Sequence, residues 1–274
     1  MRIAFSIVRH ALAIVICLIV FIVPFVFIAL TAMKDPQQSS LLDFTWPTHW
    51  QAWDNLVQVV SAQDYQLVRA FINSLILTVA SVAIVVILAA MTAFVLQRRA
   101  SKLNGLVSFL ILMGLIIPPA IVPTIWTLQG LGIYRSLVSL VLIEVAFNFA
   151  FCVLLFRSFL STVPRELDEA ASIDGSGPVR LFFTIVLPIL RPVAVTCIIV
   201  TCVAVFNDFA NPLYFLPGEE NATIQLTLFN FQSQYNTQWN LLSMDILLIT
   251  IPPLIAFLIF NRQIVAGMAS GAIK

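Results

Sequence analysis

Two carboxylates in this chain of 274 residues stand where carboxylates are costly. Glu144 lies inside the apolar run from about Ser136 to Phe156, with Asn148 four residues on and so on the same helix face. Asp208 follows Asn207 inside the run from about Pro192 to Tyr214. At 1.5 Å per residue Glu144 sits about 12 Å into its helix, near the middle of a bilayer. An acid at that depth either lines a pathway or packs against a neighbouring subunit, because its burial in lipid is so unfavourable. Glu144, Asn148, Asn207 and Asp208 are therefore the candidate pathway residues. Catalytic chemistry has little to stand on: His10 and His49 are isolated and lie outside the apolar runs. Cys17, Cys152, Cys197 and Cys202 sit within such runs without ligand-like neighbours, so they read as small helix fillers rather than a disulfide or metal site.

A second constellation lies between the two acid-bearing runs. From Arg157 to Arg191 the chain is charged and punctuated, and it reads as helix, turn, helix. Pro164 suits a first turn, Glu166, Asp168 and Glu169 complement a positive helix N-terminus, and Gly175 permits a left-handed reversal. Ser176 and Pro178 can open a second short helix with Leu181, Phe182, Ile185 and Val186 at three-to-four spacing, ended by Pro188 and Pro192. The product is an amphipathic elbow at the membrane surface, which is either a connector or a docking element.

The elements that position these residues are membrane helices. Apolar residues make up 61% of the chain and charged residues 10%, with a mean hydropathy of +1.02, far outside the range of soluble domains. A net charge of +1, without a clustered basic patch, excludes nucleic acid as a partner. Charge-poor runs place spans at about 11–33, 70–96, 103–126, 136–156, 192–214 and 240–260, the last carrying Asp245 near its start. The first run is too long for the apolar region of a cleaved signal peptide, about 7–15 residues. With the N-terminus inside, eleven of the fourteen basic residues fall on cytoplasmic segments, and only Lys34, Arg69 and Arg135 fall outside. The positive-inside rule then puts both termini in the cytoplasm and the segment 157–191 on the same side. Outer loops remain at 34–69 and 217–239, both longer than a turn requires. Trp46, Trp50, Trp53, Trp126 and Trp239 suit an interfacial aromatic belt. Pro118, Pro119 and Pro123 interrupt the third span, and Pro252 and Pro253 the sixth.

The string Glu169-Ala170-Ala171, then Asp174-Gly175, then Ile185 and Leu187-Pro188, resembles the EAA signature of binding-protein-dependent ABC importer permeases. The tail Val265 to Lys274 resembles that of sugar permeases of the maltose-transporter G type. So do Asn73-Ser74-Leu75 and the run Asn207-Asp208-Phe209 with Pro212-Leu213, although Phe206 stands where that family usually has tryptophan. The resemblance implies an all-α type I importer permease, six transmembrane helices and a cytoplasmic coupling helix, in a bacterial or archaeal inner membrane. It implies that Glu169, Ala170, Ala171, Asp174, Gly175, Ile185, Leu187 and Pro188 serve coupling to an ATPase. It extends an ATPase contact to the tail at Gly267, Ser270 and Gly271, and a contact with the binding protein to the loop before the last span.

The implied partners are a second permease subunit, two cytoplasmic ATPase subunits, an extracytoplasmic sugar-binding protein and membrane lipid. ATP and Mg belong to the ATPase, and the absence of any G-x-x-x-x-G-K-[ST] string agrees: this chain is a transport subunit with no cofactor and no enzymatic role of its own. Polyamine and amino-acid importers share the elbow. An ion-coupled secondary transporter would need internal repeats, and no convincing repeat is found.

Overall fold

The computed structural model describes residues 2–173, 175–232 and 237–272, with the backbone alone at 2–9, 11, 14 and 261–272. The described residues form helices and connecting turns and no strands. They cluster into two compact units, Met1–Ala70 with Ile224–Pro252, and Phe71–Thr223 with Pro253–Lys274.

The first unit opens with α1 (Arg2–Ala32), which accommodates Pro24 in its interior, followed by the single turn α2 (Pro36–Ser39). Asp35 caps α2 by accepting the Gln38 N–H at 2.7 Å, and Pro36 opens the turn. The end of α1 is secured from the side. Asn55, fully buried, donates its amide to the carbonyls of Ala32 and Lys34 at 2.9 and 3.0 Å and accepts the amide of Asn240 at 2.9 Å. These bonds satisfy carbonyls that a helix C-terminus leaves without partners. Asn55→Ala would strand two buried carbonyls and the Asn240 amide, at a cost of about 2–4 kcal/mol. A clear fall in the thermal midpoint of the detergent-solubilised protein is the expected readout, and Asn55→Asp, which keeps only the acceptor, should fall nearly as far.

Lys34 is buried too, and its ammonium donates to the Asp43 carboxylate at 2.7 Å and to the Asp43 carbonyl at 2.8 Å. That ammonium, with the Thr45 hydroxyl, holds the Asp43 carboxyl below the usual carboxylate range. The pair folds the loop after α1 back on itself, and Phe44 rests on Phe27 with ring centroids 5.2 Å apart.

α3 (Ala52–Arg98) is a helix pair fused across a break. Gln63, Asp64 and Tyr65 are left-handed, with φ of 48–58°, and the Arg69 guanidinium donates to the Gln63 carbonyl at 3.0 Å. The break divides α3 into 52–61 and 66–98, and the run expected to span, 70–96, lies within the second part.

The second unit contains α4 (Asn104–Ile116), α5 (Ile121–Gly130), α6 (Leu137–Leu160), α7 (Glu166–Ile173), α8 (Pro178–Leu181), a π-helical turn at Phe182–Val186, α9 (Leu187–Ile189), α10 (Arg191–Phe206) and α11 (Ala210–Phe215). A 3-10 turn (Ile224–Phe231) and α12 (Trp239–Ala272) complete the chain. Among the described residues four helices are long and apolar enough to cross a membrane, and up to six spans result if each of two bent pairs is one crossing. The pairs are α4 with α5, bent by 115°, and Pro178–Ile189 with α10, bent by 77°. Pro118 and Pro119 explain the first bend, since a residue before proline avoids the helical region and proline donates no bond.

Two expectations from proline fail. Pro252 and Pro253 do not interrupt the last span, which is one helix from Trp239 to Ala272; membrane helices tolerate the missing donors when local groups adjust, and Thr250 Oγ1 donates to the Ile246 carbonyl here. Nor does Pro188 end the elbow's second helix. It occupies an early position of α9, directly after the π turn.

The core of the second unit joins α3, α4, α6, the elbow and α10. Val85, Ala89 and Ala93 of α3 meet Cys152, Val153 and Phe156 of α6 and Phe182 and Val186 of the π turn. The small residues Ala89 and Ala93 on α3 are what lets the helices approach closely without a hydrophobic driving force of water between them.

Candidate functional site

The elbow is built by chain reversal. α7 carries Glu166, Asp168 and Glu169 in its first turn, where the helix N-terminus favours them. It closes with the paired bonds of a Schellman motif: the Ser176 N–H donates to the Ala171 carbonyl at 3.0 Å and the Gly175 N–H to the Ser172 carbonyl at 3.1 Å. Gly175 has φ of +79°, the left-handed geometry that the motif needs. A Cβ there meets nothing within 4 Å, so substitution strains the backbone rather than colliding. Gly175→Ala should therefore cost about 1 kcal/mol locally, Gly175→Asn less and Gly175→Val more. Limited proteolysis across 170–180 should rank the variants in that order, and equal cleavage of all three would deny the turn its role.

One face of the elbow is turned inward. Ala171, at 5% exposure, Leu181, Phe182 and Val186 belong to the core, Ile185 and Leu187 pack against it, and Phe182 lies against Phe94 with centroids 5.7 Å apart. The opposite face is open: Leu167, Ala170 and Ile173 follow at three-residue spacing, with Ile173 86% exposed, and Glu169 and Val179 are exposed as well. Of the two adjacent alanines, both expected to admit a partner surface, only Ala170 is free to do so, because a 100° step per residue turns Ala171 into the core. Leu167, Ile173 and Val179 were not singled out from sequence, although their spacing on an acidic helix is a readable signal. Asp174 lies outside the described residues, Pro188 is exposed, and the side chains of Gly267, Ser270 and Gly271 also lie outside them.

The elbow is held to α3 by reciprocal arginines. Arg98, at the end of α3, donates from Nη2 to the Val163 and Pro164 carbonyls at 3.0 and 3.4 Å, while its Nε lies 2.6 Å from Asp168 Oδ2. The last contact is an ion pair whose angles fall short of a directional hydrogen bond, so its strength is charge attraction in a half-dry setting. From the other side Arg165 Nη2 donates to the Gln97 carbonyl at 3.1 Å. Arginine suits both places because its planar fork serves several oxygens at once.

The second site is a polar cluster at the break between α10 and α11. α10 ends at Phe206. Asn207 turns its amide back to the Val203 carbonyl at 2.9 Å, and Asp208 Oδ1 accepts the N–H groups of Ala210 and Asn211 at 2.9 and 3.3 Å. The span expected over 192–214 is thus two helices, because Asn207 closes one and Asp208 opens the next. Glu144, 3% exposed, faces this break from α6. Its Oε1 accepts the Asn211 amide at 3.1 Å, the Asp208 carboxyl lies beside it, and the Asn148 amide donates to its carbonyl at 2.9 Å, with Oε2 at 3.5 Å. Glu144, Asn148 and Asp208 therefore come together, and Asn207 does not join them. Asn211 was missed from sequence; its place three residues after an acid that opens a helix is the signal that would have found it. Phe206 meets Phe71 edge to face with ring centroids 6.4 Å apart.

Among the described residues no group of His, Cys, Asp or Glu could hold a metal ion. The geometry instead joins an apolar surface elbow, tied to a membrane helix, with a polar break inside the membrane.

The whole chain is similar to known proteins. The chain is 30% identical over 260 residues to the melibiose/raffinose/stachyose import permease protein MelC of Bacillus subtilis, covering 92% of this chain and 91% of that one. It is 29% identical over 274 residues to the diacetylchitobiose uptake system permease protein NgcG of Streptomyces coelicolor, covering 98% and 89%. Its fold matches a chain in the crystal structure of a bacterial ABC transporter involved in the import of the acidic polysaccharide alginate, with a TM-score of 0.81 at 16% identity, covering 94% of this chain and 96% of that one. Residues 67–269 match the model of the family described as binding-protein-dependent transport system inner membrane component. That segment contains the elbow, its arginine ties and the Glu144 cluster, and the chain belongs to this family of inner-membrane transport components.

Proposed function

We propose that this chain is the membrane-spanning permease subunit of an ATP-driven importer of a sugar or sugar derivative, of the maltose-transporter G type. It forms half of the translocation pathway with a second permease subunit. One of two cytoplasmic ATPase subunits docks on the elbow, and an extracytoplasmic sugar-binding protein delivers the substrate. Both termini lie in the cytoplasm. ATP and Mg are held by the ATPase, and no cofactor is held by this chain.

The observation that carries the reading is the elbow. It presents an apolar edge at Leu167, Ala170 and Ile173 while its other face is packed into the membrane core and tied to α3 by Arg98 and Arg165. A large apolar residue at such exposure on an otherwise acidic helix supports a protein partner there. Ties to α3 let displacement of that partner reach the membrane helices. The sugar rests on the relatives, whose names specify melibiose, raffinose, stachyose and diacetylchitobiose.

The test is co-purification of the tagged chain with its native partners, followed by a thermal-shift screen of the recovered binding protein. An ATPase and a binding protein stabilised by oligosaccharides are expected. Ile173→Asp should reduce ATPase retention about tenfold or more, as loss of a central apolar anchor does. Stabilisation by polyamines or amino acids alone would replace the sugar and keep the importer, whereas recovery without any ATPase would remove both.

A further inference from the structure

The cytoplasmic ends of α3 and α4 enclose a groove of about 550 Å³ that the transport reading leaves unused. Leu88, Met91, Val95, Leu103 and Val107 make its walls, and Arg99 and Ser101 stand at its mouth. The groove shares Thr92 and Val107 with a second hollow of about 350 Å³ that continues past Leu110 to Gly114 and Phe149. Together they form an apolar lane along the 13 residues of α4, about 20 Å at 1.5 Å per residue. One leaflet's hydrocarbon layer is about 15 Å deep. The lane is therefore long enough for an acyl chain running inward from the membrane surface.

The mouth is basic. Arg98 is committed to Asp168 and the elbow, but Arg99 and Lys102 are exposed and have no acidic partner among the described residues. The connecting turn is held rigid from within: Asn104 Nδ2 donates to the carbonyls of Arg99 and Leu96 at 2.6 and 3.3 Å, and Ser101 Oγ accepts the Leu103 N–H at 3.2 Å. Two exposed cations, Arg99 lining the groove and Lys102 on the same turn, at one end of an acyl-length apolar lane complement a molecule with a negative head and a hydrocarbon tail. We infer that the α3–α4 lane binds one anionic phospholipid, with its phosphate at Arg99 and Lys102 and a tail along Met91, Val95 and Val107. Basic pockets between membrane helices at the inner surface take such headgroups. The inference rests on the orientation proposed above only in assigning the lipid to the inner leaflet.

The test reconstitutes the complex in nanodiscs of phosphatidylcholine doped with phosphatidylglycerol that carries a diazirine on its acyl chain. After illumination, labelled peptides are mapped by mass spectrometry. Labelling concentrated in 88–114, competed by unlabelled phosphatidylglycerol but not by phosphatidylcholine, is the expected result. Arg99→Gln with Lys102→Gln should reduce that labelling about tenfold or more, since each cation near a charged lipid surface contributes about a fivefold preference. Labelling of α1 serves as the internal control for a folded variant, and the wild-type map stands even if the variant fails. Three results would overturn the inference: even labelling of all apolar faces, equal competition by phosphatidylcholine, or competition by soluble glycerol phosphate. Protection of the lane in the assembled complex, with labelling only in the isolated chain, would assign it to the second permease subunit instead. Because labelling is read on this chain, the outcome is independent of whether an ATPase co-purifies.

Discussion

Uptake by a complex carrying Asp168→Arg is expected to fall about tenfold or more while ATP hydrolysis continues, and adding Arg98→Asp to the same chain should restore much of it. The reason lies in the tie between elbow and span. Asp168 and Arg98 are 16% and 12% exposed at their side chains and 2.6 Å apart, so water screens them weakly. Reversing one charge places two guanidinium groups together where one ion pair stood, which forces the elbow away from α3. A loss of about 1.4 kcal/mol in coupling already corresponds to tenfold. The swapped pair restores attraction but not the bonds from Arg98 to the Val163 and Pro164 carbonyls. Rescue should therefore be incomplete, and Arg98→Lys, which keeps charge without the fork, should fall between. The measurement is substrate transported per ATP hydrolysed in proteoliposomes. A variant that loses ATPase activity and uptake together, with no rescue in the swap, would reduce the pair to a folding contact.

The second large effect is expected at Glu144. Replacement by leucine removes the acceptor for Asn211 and the partner of Asp208, leaving both polar groups beside an apolar surface inside the membrane. Uptake should fall about tenfold or more, because truncating one member of a buried charged network costs about 3 kcal/mol or more. Glu144→Gln should retain most uptake, since its amide can still accept from Asn211 and donate to Asp208. Paired uptake and thermal-stability measurements separate the roles. Loss of uptake with a nearly unchanged melting midpoint marks the pathway, whereas a parallel fall in both marks packing, and full uptake in the leucine variant would take Glu144 out of either.

Much of this architecture is readable in the residues because lipid permits so little. A run without charges must be a helix, and Gly175 after an acidic first turn must reverse the chain, so the helices and the elbow follow from local chemistry. What escaped was decided by tertiary contacts. The break at 62–65 has no glycine to announce it, and Gln63, Asp64 and Tyr65 adopt left-handed geometry in a segment whose composition suits a helix. Asn211 and Arg98 each lie in ordinary surroundings along the chain. Their importance comes from partners 67 and 70 residues away, Glu144 and Asp168, which periodicity cannot bring together. Ala171 shows the opposite error: adjacent to Ala170 and chemically identical, it points the other way because a helix turns 100° per residue.

The π turn at Phe182–Val186 has a consequence for how such chains can change length. A π turn is an α-helix holding one additional residue. Deleting a residue there could be absorbed by reverting to ordinary helical bonding, leaving a chain that inserts and folds. Four α-helical residues turn the chain through nearly the same angle as the five residues of the π turn, so the segments before and after the deletion would keep nearly the same facing. The edge formed by Leu167, Ala170 and Ile173 would then keep its direction, whereas a residue lost from the ordinary helix of α10 would turn that edge by about 100°, so the π turn is a place where the chain can shorten without changing which way the elbow looks.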